Sequence, residues 1–305
     1  MGWYRRAGAL LILMAGLWSG QGAWAATHWP VTVVGQDGPL TLSRAPARIV
    51  ALEFSFVDAL AQVGISPVGI ADDMDADRLL PALRERLAPW QSVGTRAQPS
   101  LEVIAALKPD LIIADWERHG AIAATLRQIA PTLMLSSRRE TYEQSLVAAQ
   151  TIATLVGQGE AMTTRIAQHG ERMARQGARL STLAGRVQFA VARENGLYLH
   201  APDSFAAGVI RALGLTVPEV AARDKEASRQ IGLEQLLALN PDYLILGTYA
   251  SPNVVDGWQR EPLWSLLTAA REGHLLKVDG NRWARSRGLL AAESMAEDLV
   301  HGLLP

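Results

Sequence analysis

The amino-acid sequence predicts an α/β protein with two lobes, each built on a parallel-type sheet flanked by helices, and one long helix that bridges them. Three observations predict this fold: a repeated helix–proline–strand segment, strands that alternate with helices, and a long stretch of helical periodicity without strands. The chain has 305 residues and 49% of them are hydrophobic, which is enough for two domains with packed cores.

The repeated segment occupies residues 101–113 and returns in similar form at residues 233–245. Each copy predicts a short helix that stops before a proline, because proline cannot continue a helix. Proline also biases the preceding residue toward extended geometry, so Lys108 and Asn240 are expected to mark the helix ends in that conformation. The short apolar run that follows is typical of a strand covered on both faces. A unit used twice, far apart, predicts two lobes of related architecture.

The chain divides into four segments on this pattern. Residues 1–25 are predicted to be a signal peptide, 26–157 the N-terminal lobe, 158–184 the connecting helix and 185–305 the C-terminal lobe. The expected strands are residues 48–52, 67–71, 91–96, 111–113 and 131–135 in the first lobe, and 186–192, 197–199, 243–245 and 275–278 in the second, with a closing helix at 289–303.

The signal-peptide prediction comes from a positive Arg5-Arg6 pair, an apolar stretch over residues 7–18 and a small-x-small cleavage pattern ending at Ala25. The apolar stretch is short for a transmembrane helix, although an uncleaved anchor is the alternative. The sequence contains no cysteine, so it offers no acceptor for a lipid anchor, no disulfide and no thiolate metal ligand. We therefore expect the mature chain to begin near Ala26 and to reside in the periplasm.

The connecting helix is predicted from apolar and small residues at three- and four-residue steps, amid Arg, Glu and Gln, from Met162 to Leu180. A helix from Glu160 to about Thr182 would span roughly 35 Å, the width of a small domain. We interpret it as a rigid brace between the lobes. A helix packed wholly within one lobe is the alternative.

Arginine and aromatic residues recur where strands end, and in parallel α/β sheets ligands bind outside the carboxyl ends of the strands. Several arginine forks that converge would suit a polyanionic, carboxylate-rich small ligand. Alternatively, Arg118 is solvated, Arg96 braces a turn and Trp283 covers the core. Our candidate ligand-binding residues are Arg96, Arg193, Arg285, Arg287, Trp283, Glu53, Ser55, Arg118 and Tyr249.

Catalysis and nucleic-acid binding find little support in the sequence. There is no Gly-rich phosphate loop, nucleophile elbow or zinc helix motif, and the six histidines are scattered without ligand spacing. The acidic run at residues 72–77 lacks the calcium-loop pattern, so we expect a solvated loop there. The net charge of −1 provides no bulk attraction to nucleic acid.

The paired L-E-x-x-x-A-L-x-P-D segments, the connecting helix and the N-terminal signal resemble the helical-backbone (class III) periplasmic binding proteins that serve iron-chelate and cobalamin ABC importers. The resemblance covers the whole mature chain. Residues 92–102, 107–115, 231–237 and 283–285 are most similar to the members that bind ferric dicitrate.

The resemblance implies a monomeric binding protein, not an enzyme, that holds ferric dicitrate in the cleft between its lobes. Citrate would supply the iron ligands, so no metal-coordinating side chain and no cofactor are expected. Arg96 and Arg193 match positions where relatives place basic residues against the chelate, and Glu102 and Glu234 match carboxylates that dock onto an inner-membrane permease dimer with a cytoplasmic ATPase.

Other functions stay open at this point. Within the binding-protein class the ligand could be another iron siderophore, haem or cobalamin. From other classes, a secreted hydrolase would need a base oriented by an acid, which we do not find, and a structural or adhesion protein would bind no small ligand.

Overall fold

The computed structural model describes residues 28–219, 228–249 and 251–304, so the predicted signal peptide at residues 1–25 lies outside the described residues. Two five-stranded sheets, with the strand orders β5-β4-β3-β6-β7 and β10-β9-β8-β11-β12, form the centres of two lobes. The strands are β1 Val31–Gly35, β2 Gly38–Leu42, β3 Ile49–Ala51, β4 Gly69–Ile70, β5 Gln91–Ser92, β6 Leu111–Asp115, β7 Thr132–Leu135, β8 Val187–Arg193, β9 Gly196–His200, β10 Ser228–Ile231, β11 Tyr243–Thr248 and β12 Leu275–Asp279.

Helices cover both sheets, and β1 and β2 form a separate antiparallel hairpin. The α-helices are α1 Phe54–Gln62, α2 Pro81–Arg84, α3 Leu101–Ala106, α4 Trp116–His119, α5 Ala123–Ile129, α6 Tyr142–Leu155, α7 Gly159–Leu180, α8 Phe205–Ala212, α9 Leu233–Leu239, α10 Val254–Trp258, α11 Thr268–Arg271 and α12 Leu289–Leu303. Short 3₁₀ turns lie at Ala76–Arg78, Gly120–Ile122 and Pro262–Leu266, and a π-helical turn lies at Asn281–Arg285. None of the described helices is long and apolar enough to cross a membrane.

The first sheet is wholly parallel, as the sequence predicts, but the second is mixed. In the second sheet β11 pairs in parallel with β8 and β12, whereas β9 runs antiparallel to both β8 and β10. The cause is local, because Arg193 pairs with Gly196 and only two residues join β8 to β9. A parallel connection needs a crossover of a dozen or more residues, so this short loop can only form a hairpin.

Both copies of the repeat form a helix followed by a buried strand, α3–β6 and α9–β11. The expectation that Lys108 and Asn240 are extended is wrong, because both are left-handed, with φ of 46° and 42°. In that conformation the amide of Lys108 donates to Ala105 O at 3.0 Å and the amide of Asn240 to Leu236 O at 2.8 Å. The turn thus satisfies carbonyls at the helix end, which outweighs the local preference imposed by the proline.

The aspartate of each repeat fastens the end of its helix to the residues that lead into the central strand of its sheet, β3 in the first lobe and β8 in the second. Asp110 accepts backbone hydrogen bonds from Ala47 and Arg48, each at 2.8 Å, and Asp242 accepts one from Arg186 at 2.7 Å. The side chains of the two arginines bind the helix ends as well. Arg48 Nη2 donates to Leu107 O, and Arg186 Nη2 donates to a carbonyl at the helix end of the second copy. The repeat therefore encodes the same helix-to-strand clasp in both lobes.

The connecting helix α7 has 22 residues and is about 33 Å long. It packs against α6 on the side of the first lobe and against α12 and α8 on the side of the second, so it bridges the lobes. Its buried residues Met162, His169, Met173 and Leu180 all belong to the face that the periodicity predicts.

A charged cluster joins α7 to both lobes. Glu293 of α12 accepts from Arg165 Nη2 at 2.7 Å, from His169 Nδ1 at 2.8 Å and from Arg172 Nη1 at 3.0 Å. Arg165 also donates to Gln62 of α1 at 2.7 Å. Burial alone would raise the pKa of Glu293, but hydrogen bonds from His169 and Arg165 lower it to about 2. One carboxylate therefore connects the bridging helix with α12 and, through Arg165, with α1.

We expect Glu293→Gln to destabilise the protein at pH 7 by about 2–3 kcal/mol, because it leaves the nearly buried guanidinium group of Arg165 without its carboxylate. A carboxyl with a lowered pKa contributes stability that is fully present above its unfolded-state value and is lost as the pH falls toward 2. The deficit of the variant should therefore shrink between pH 4.5 and pH 2 in urea unfolding curves. Glu297→Gln, an exposed acid one turn further along α12, is the matched control. An equal loss in this control would contradict the assignment.

Candidate functional site

The first lobe contributes a buried wall of charged residues at the carboxyl ends of its strands. Glu53 is the N-cap residue of α1 and its side chain is 1% exposed, although no side-chain hydrogen bond caps the helix. Arg118 of α4 lies at 2.6 Å, measured from its Nε to Glu53 Oε1, and Arg96 Nη1 lies 3.8 Å from Glu53 Oε2. Three predicted site residues, Glu53, Arg96 and Arg118, are thus brought together.

Arg96 is the most firmly held residue of this wall. Its Nε and Nη2 donate to Asp73 Oδ2 at 3.2 and 2.8 Å, and its guanidinium lies 3.9 Å above the ring of Phe54. Its carbonyl is fixed by buried His119, whose Nε2 is 2.7 Å away while its Nδ1 accepts from the Asp115 amide. Burial lowers the pKa of His119, so the ring is neutral and can play both roles.

The expectation of a solvated acidic loop is wrong for Asp72 and Asp73. Asp72 is 4% exposed and accepts from the Trp90 indole at 3.1 Å. Burial opposes ionisation of Asp73, but hydrogen bonds from the side chain and backbone of Arg96 outweigh it and lower the pKa to about 2. The acidic composition of this segment predicted solvent exposure. The position of the two aspartates just after β4, at the carboxyl edge of the sheet, was the feature that indicated burial in the site.

Two further buried acids escaped the sequence prediction, Asp115 and Glu140. Asp115 ends β6 and accepts the amides of Ser137 at 2.7 Å and Arg118 at 2.9 Å, so it shapes the wall. Glu140 is 1% exposed, and burial raises its pKa well above the usual value. Asp115 is the last residue of one strand of the first sheet and Glu140 follows another, so the strand-end rule that predicted Arg118 would also have predicted them. Ser55 lies beside them and shares a 2.9 Å hydrogen bond with Ser137.

The second lobe contributes a layer of arginine and tyrosine. Arg285 stacks 4.4 Å above the ring centre of Tyr249, and Arg193 lies 4.7 Å from the ring centre of Tyr198 and 5.9 Å from that of Tyr249. Arg193 is the last residue of β8 and is exposed. Cation–π stacking orients both guanidinium groups, and although Arg285 Nη1 donates to Asn281 at 2.9 Å, stacking leaves the remaining N–H donors in the guanidinium plane available to a ligand.

The charged wall of the first lobe and the arginine and tyrosine layer of the second face each other across a cleft. Arg96 Nη1 lies 3.4 Å from Arg285 O, and Arg287 Nη2 donates to Arg138 O of the first lobe at 2.9 Å. Arg287 therefore reaches into the first lobe, where Glu140 and Glu53 attract its charge. Desolvation lowers its pKa. Arg285 instead stays on its own lobe.

Trp283 differs from the other predicted residues because its ring is packed in the core, although it lines the same cavity as Arg287. It is 1% exposed, packs against Phe189 with ring centres 5.1 Å apart, and donates its indole N–H to Asp298 at 2.8 Å. Its contacts are those of a core residue at the base of the cleft.

Burial leaves Glu53 weakly ionised. Desolvation, opposed by the charges of Arg118 and Arg96, raises the pKa of Glu53 to about 7. The cleft thus presents arginine from both lobes together with an acid that is half-protonated near neutral pH. In the part of the chain that the structure describes, no group of three or more His, Cys, Asp or Glu could hold a metal ion.

The predicted docking residues lie away from this cleft. Glu102 and Glu234 are exposed in the first turns of α3 and α9. They are equivalent positions of the two repeats, and each projects from a helix that the aspartate clasp fixes to its sheet.

Comparison with known proteins gives consistent results. Residues 49–281 match the family model described as periplasmic binding protein. The chain is 51% identical over 269 residues to the Fe(3+) dicitrate-binding periplasmic protein FecB of Escherichia coli, covering 88% of this chain and 89% of that one. It is 37% identical over 266 residues to the Fe(3+)-citrate-binding protein YfmC of Bacillus subtilis, covering 87% and 83% of the two chains.

Among solved structures, Staphylococcus aureus SirA complexed with staphyloferrin B superposes with a TM-score of 0.77 at 17% identity, over 89% of this chain and 98% of that one. This likeness supports the fold of two lobes and one long helix. The family model and the two sequence relatives show that the chain belongs to the periplasmic binding protein family.

Proposed function

We propose that this protein captures ferric dicitrate in the cleft between its lobes and delivers it to the permease of an ABC importer. The observation that carries the proposal is the set of arginines from both lobes at one cleft, in a chain 51% identical to a ferric dicitrate-binding protein. Arginine forks match carboxylate geometry, and two lobes can enclose a ligand that neither could cover alone.

In the proposed complex, citrate coordinates the iron and the protein recognises the outer carboxylates. Arg193 and Arg285 have donors free of acidic partners among the described residues, and Tyr249 supports Arg285 from below. Arg96 and Arg118 would contact the ligand from the first lobe, and Arg287 of the second lobe reaches across the cleft to the first. Binding in this way needs no protein ligand to the metal, and the role is capture of a solute rather than catalysis.

The proposed function requires the protein to act outside the cytoplasm. Residues 1–25 would direct secretion and be removed, and without a cysteine the mature chain would carry no lipid anchor. It would then act in the periplasm as a monomer.

Arg193→Ala should weaken ferric citrate binding by tenfold or more, since a charge-assisted hydrogen bond is worth about 1.5–3 kcal/mol. Arg193 is the sharpest test because it is exposed and its loss removes no internal ion pair, whereas Arg96 also holds Asp73. Tryptophan fluorescence titration measures the affinity. Arg271→Ala, an exposed arginine on α11 that pairs with Glu272, is the control and should bind as the wild type does. Unchanged affinity in Arg193→Ala would contradict the cleft assignment.

Binding should require iron and citrate together. Calorimetric titrations with ferric citrate, a ferric hydroxamate and free Fe(III) distinguish the candidate ligands, and only the first should bind tightly. Tight binding of bare Fe(III) would indicate a side-chain metal site. Preference for the hydroxamate would place the protein with importers of other siderophores.

Replacing Glu102 and Glu234 together by Ala should nearly abolish iron citrate uptake by cells, and each single change should reduce it. Each exposed ion pair is worth about 1 kcal/mol or less, but two on one rigid body add without a second loss of translational freedom. Affinity for the chelate in solution should be unchanged, because neither residue lies in the cleft. Glu171→Ala, an exposed acid on α7, serves as the control. Normal uptake by the double variant would rule out a docking role.

A further inference from the structure

The arginines of the first lobe already hold carboxylates of the chain itself. Arg118 is paired with Glu53 at 2.6 Å, and Arg96 is paired with Asp73 at 2.8 Å and lies 3.8 Å from Glu53. A polycarboxylate that enters the cleft must therefore compete with these internal carboxylates for the same guanidinium groups.

The two internal competitors are held very differently. Asp73 accepts four hydrogen bonds from Arg96, including one from its backbone amide at 2.9 Å, and a further one from Arg78. Glu53 is 1% exposed, but neither of its carboxylate oxygens has a hydrogen bond of good geometry among the described residues, so its contacts are ion pairs only. Asp73 is thus a permanent partner of Arg96, whereas the charge of Glu53 can be removed at low cost.

We propose that Glu53 determines the charge selectivity of the cleft: its carboxylate competes for Arg118 and Arg96 in the free protein, and a polycarboxylate binds with the transfer of one proton from solvent to Glu53. This inference rests on the proposed function. The proton goes to a carboxylate oxygen of Glu53, no other bond forms or breaks, and the two arginines become available to the ligand. A ligand with little negative charge cannot drive this exchange.

The groups that face Glu53 come from every element around it. Arg118 of α4, Arg96 after β5 and Arg287 before α12 favour its ionised form, while Asp115 of β6 disfavours it. Glu140 after β7 is close enough to interact with both Glu53 and Asp115.

The charge of Glu53 responds to pH near neutrality. Its pKa is about 7 because burial outweighs the neighbouring arginines, whereas burial raises the pKa of Glu140 well above its usual value. A bound polyanion raises the pKa of Glu53 further. Binding should therefore take up about half a proton at pH 7 and nearly one at pH 8. The affinity should fall as the pH rises through 7, by about tenfold between pH 6 and pH 8.

The test is calorimetric titration with ferric citrate at pH 6, 7 and 8, in buffers of different ionisation heat, for the wild type, Glu53→Gln and Glu117→Gln. Glu117 is a nearby acid that pairs with Arg139 at 3.0 Å, so its variant controls for a general change of charge. Comparison at each pH cancels any change in the ligand itself. Glu53→Gln mimics the protonated state, so it should bind about tenfold more tightly than the wild type at pH 8 and with similar affinity at pH 6.

Proton uptake at pH 8 should be lower by nearly one in Glu53→Gln than in the wild type, and unchanged in Glu117→Gln. Equal uptake in Glu53→Gln and the wild type would overturn the inference while leaving the proposed function intact. Absence of ferric citrate binding by the wild type at every pH would overturn both. Glu53→Ala removes the same carboxylate, so equal uptake in that variant and the wild type rejects the inference even if Glu53→Gln folds poorly.

Discussion

A buried contact between Asp58 of α1 and the start of α12, together with the bridging helix, fixes the relative position of the two lobes. Asp58 Oδ2 accepts the amide of Leu290 at 2.9 Å, and its other oxygen accepts from Gln62. Gly288 lies directly against this carboxylate with a φ of +103°, so any side chain there would be strained and would collide with Asp58. The contact holds a helix of the second lobe on a helix of the first.

The bridging helix continues the same network. Gln62 is hydrogen-bonded to both Asp58 and Arg165, and Arg165 in turn donates to Glu293. His169 joins Glu293 to the Tyr142 hydroxyl, which lies 2.7 Å from its ring. Four helices, α1, α6, α7 and α12, are therefore joined by polar contacts in addition to their apolar packing. Burial raises the pKa of Asp58 to about 6, which shows that this anion is held at an energetic cost. We infer that this buried contact selects one lobe arrangement, and hence one cleft shape, and does not add to the overall stability of the protein.

Much of the fold and part of the site follow from sequence patterns. The long helix and α12 were predicted within a residue or two, because their apolar periodicity agrees with their burial. The hairpin β8–β9 was missed, since strand patterns do not specify direction and the two-residue loop was the decisive feature. The strand-end rule predicted Arg96, Arg118, Arg285 and Tyr249 as candidates, and the structure places all four around the cleft. Asp73 and Glu140 were missed because whether an acid is solvated or buried against an arginine depends on contacts distant in sequence.

The cleft and the repeat suggest how capture and delivery are separated in one molecule. Charge compensation inside the cleft keeps arginine in position without a ligand, since unpaired buried guanidinium groups would be costly. The glutamates for which we propose docking lie on helices whose ends are clasped by Asp110 and Asp242 to the residues directly before β3 and β8. A rotation of one lobe against the other would therefore move Glu102 relative to Glu234. A permease that engages both carboxylates would thereby sense the arrangement of the lobes, and with it the state of the cleft, without contacting the ligand.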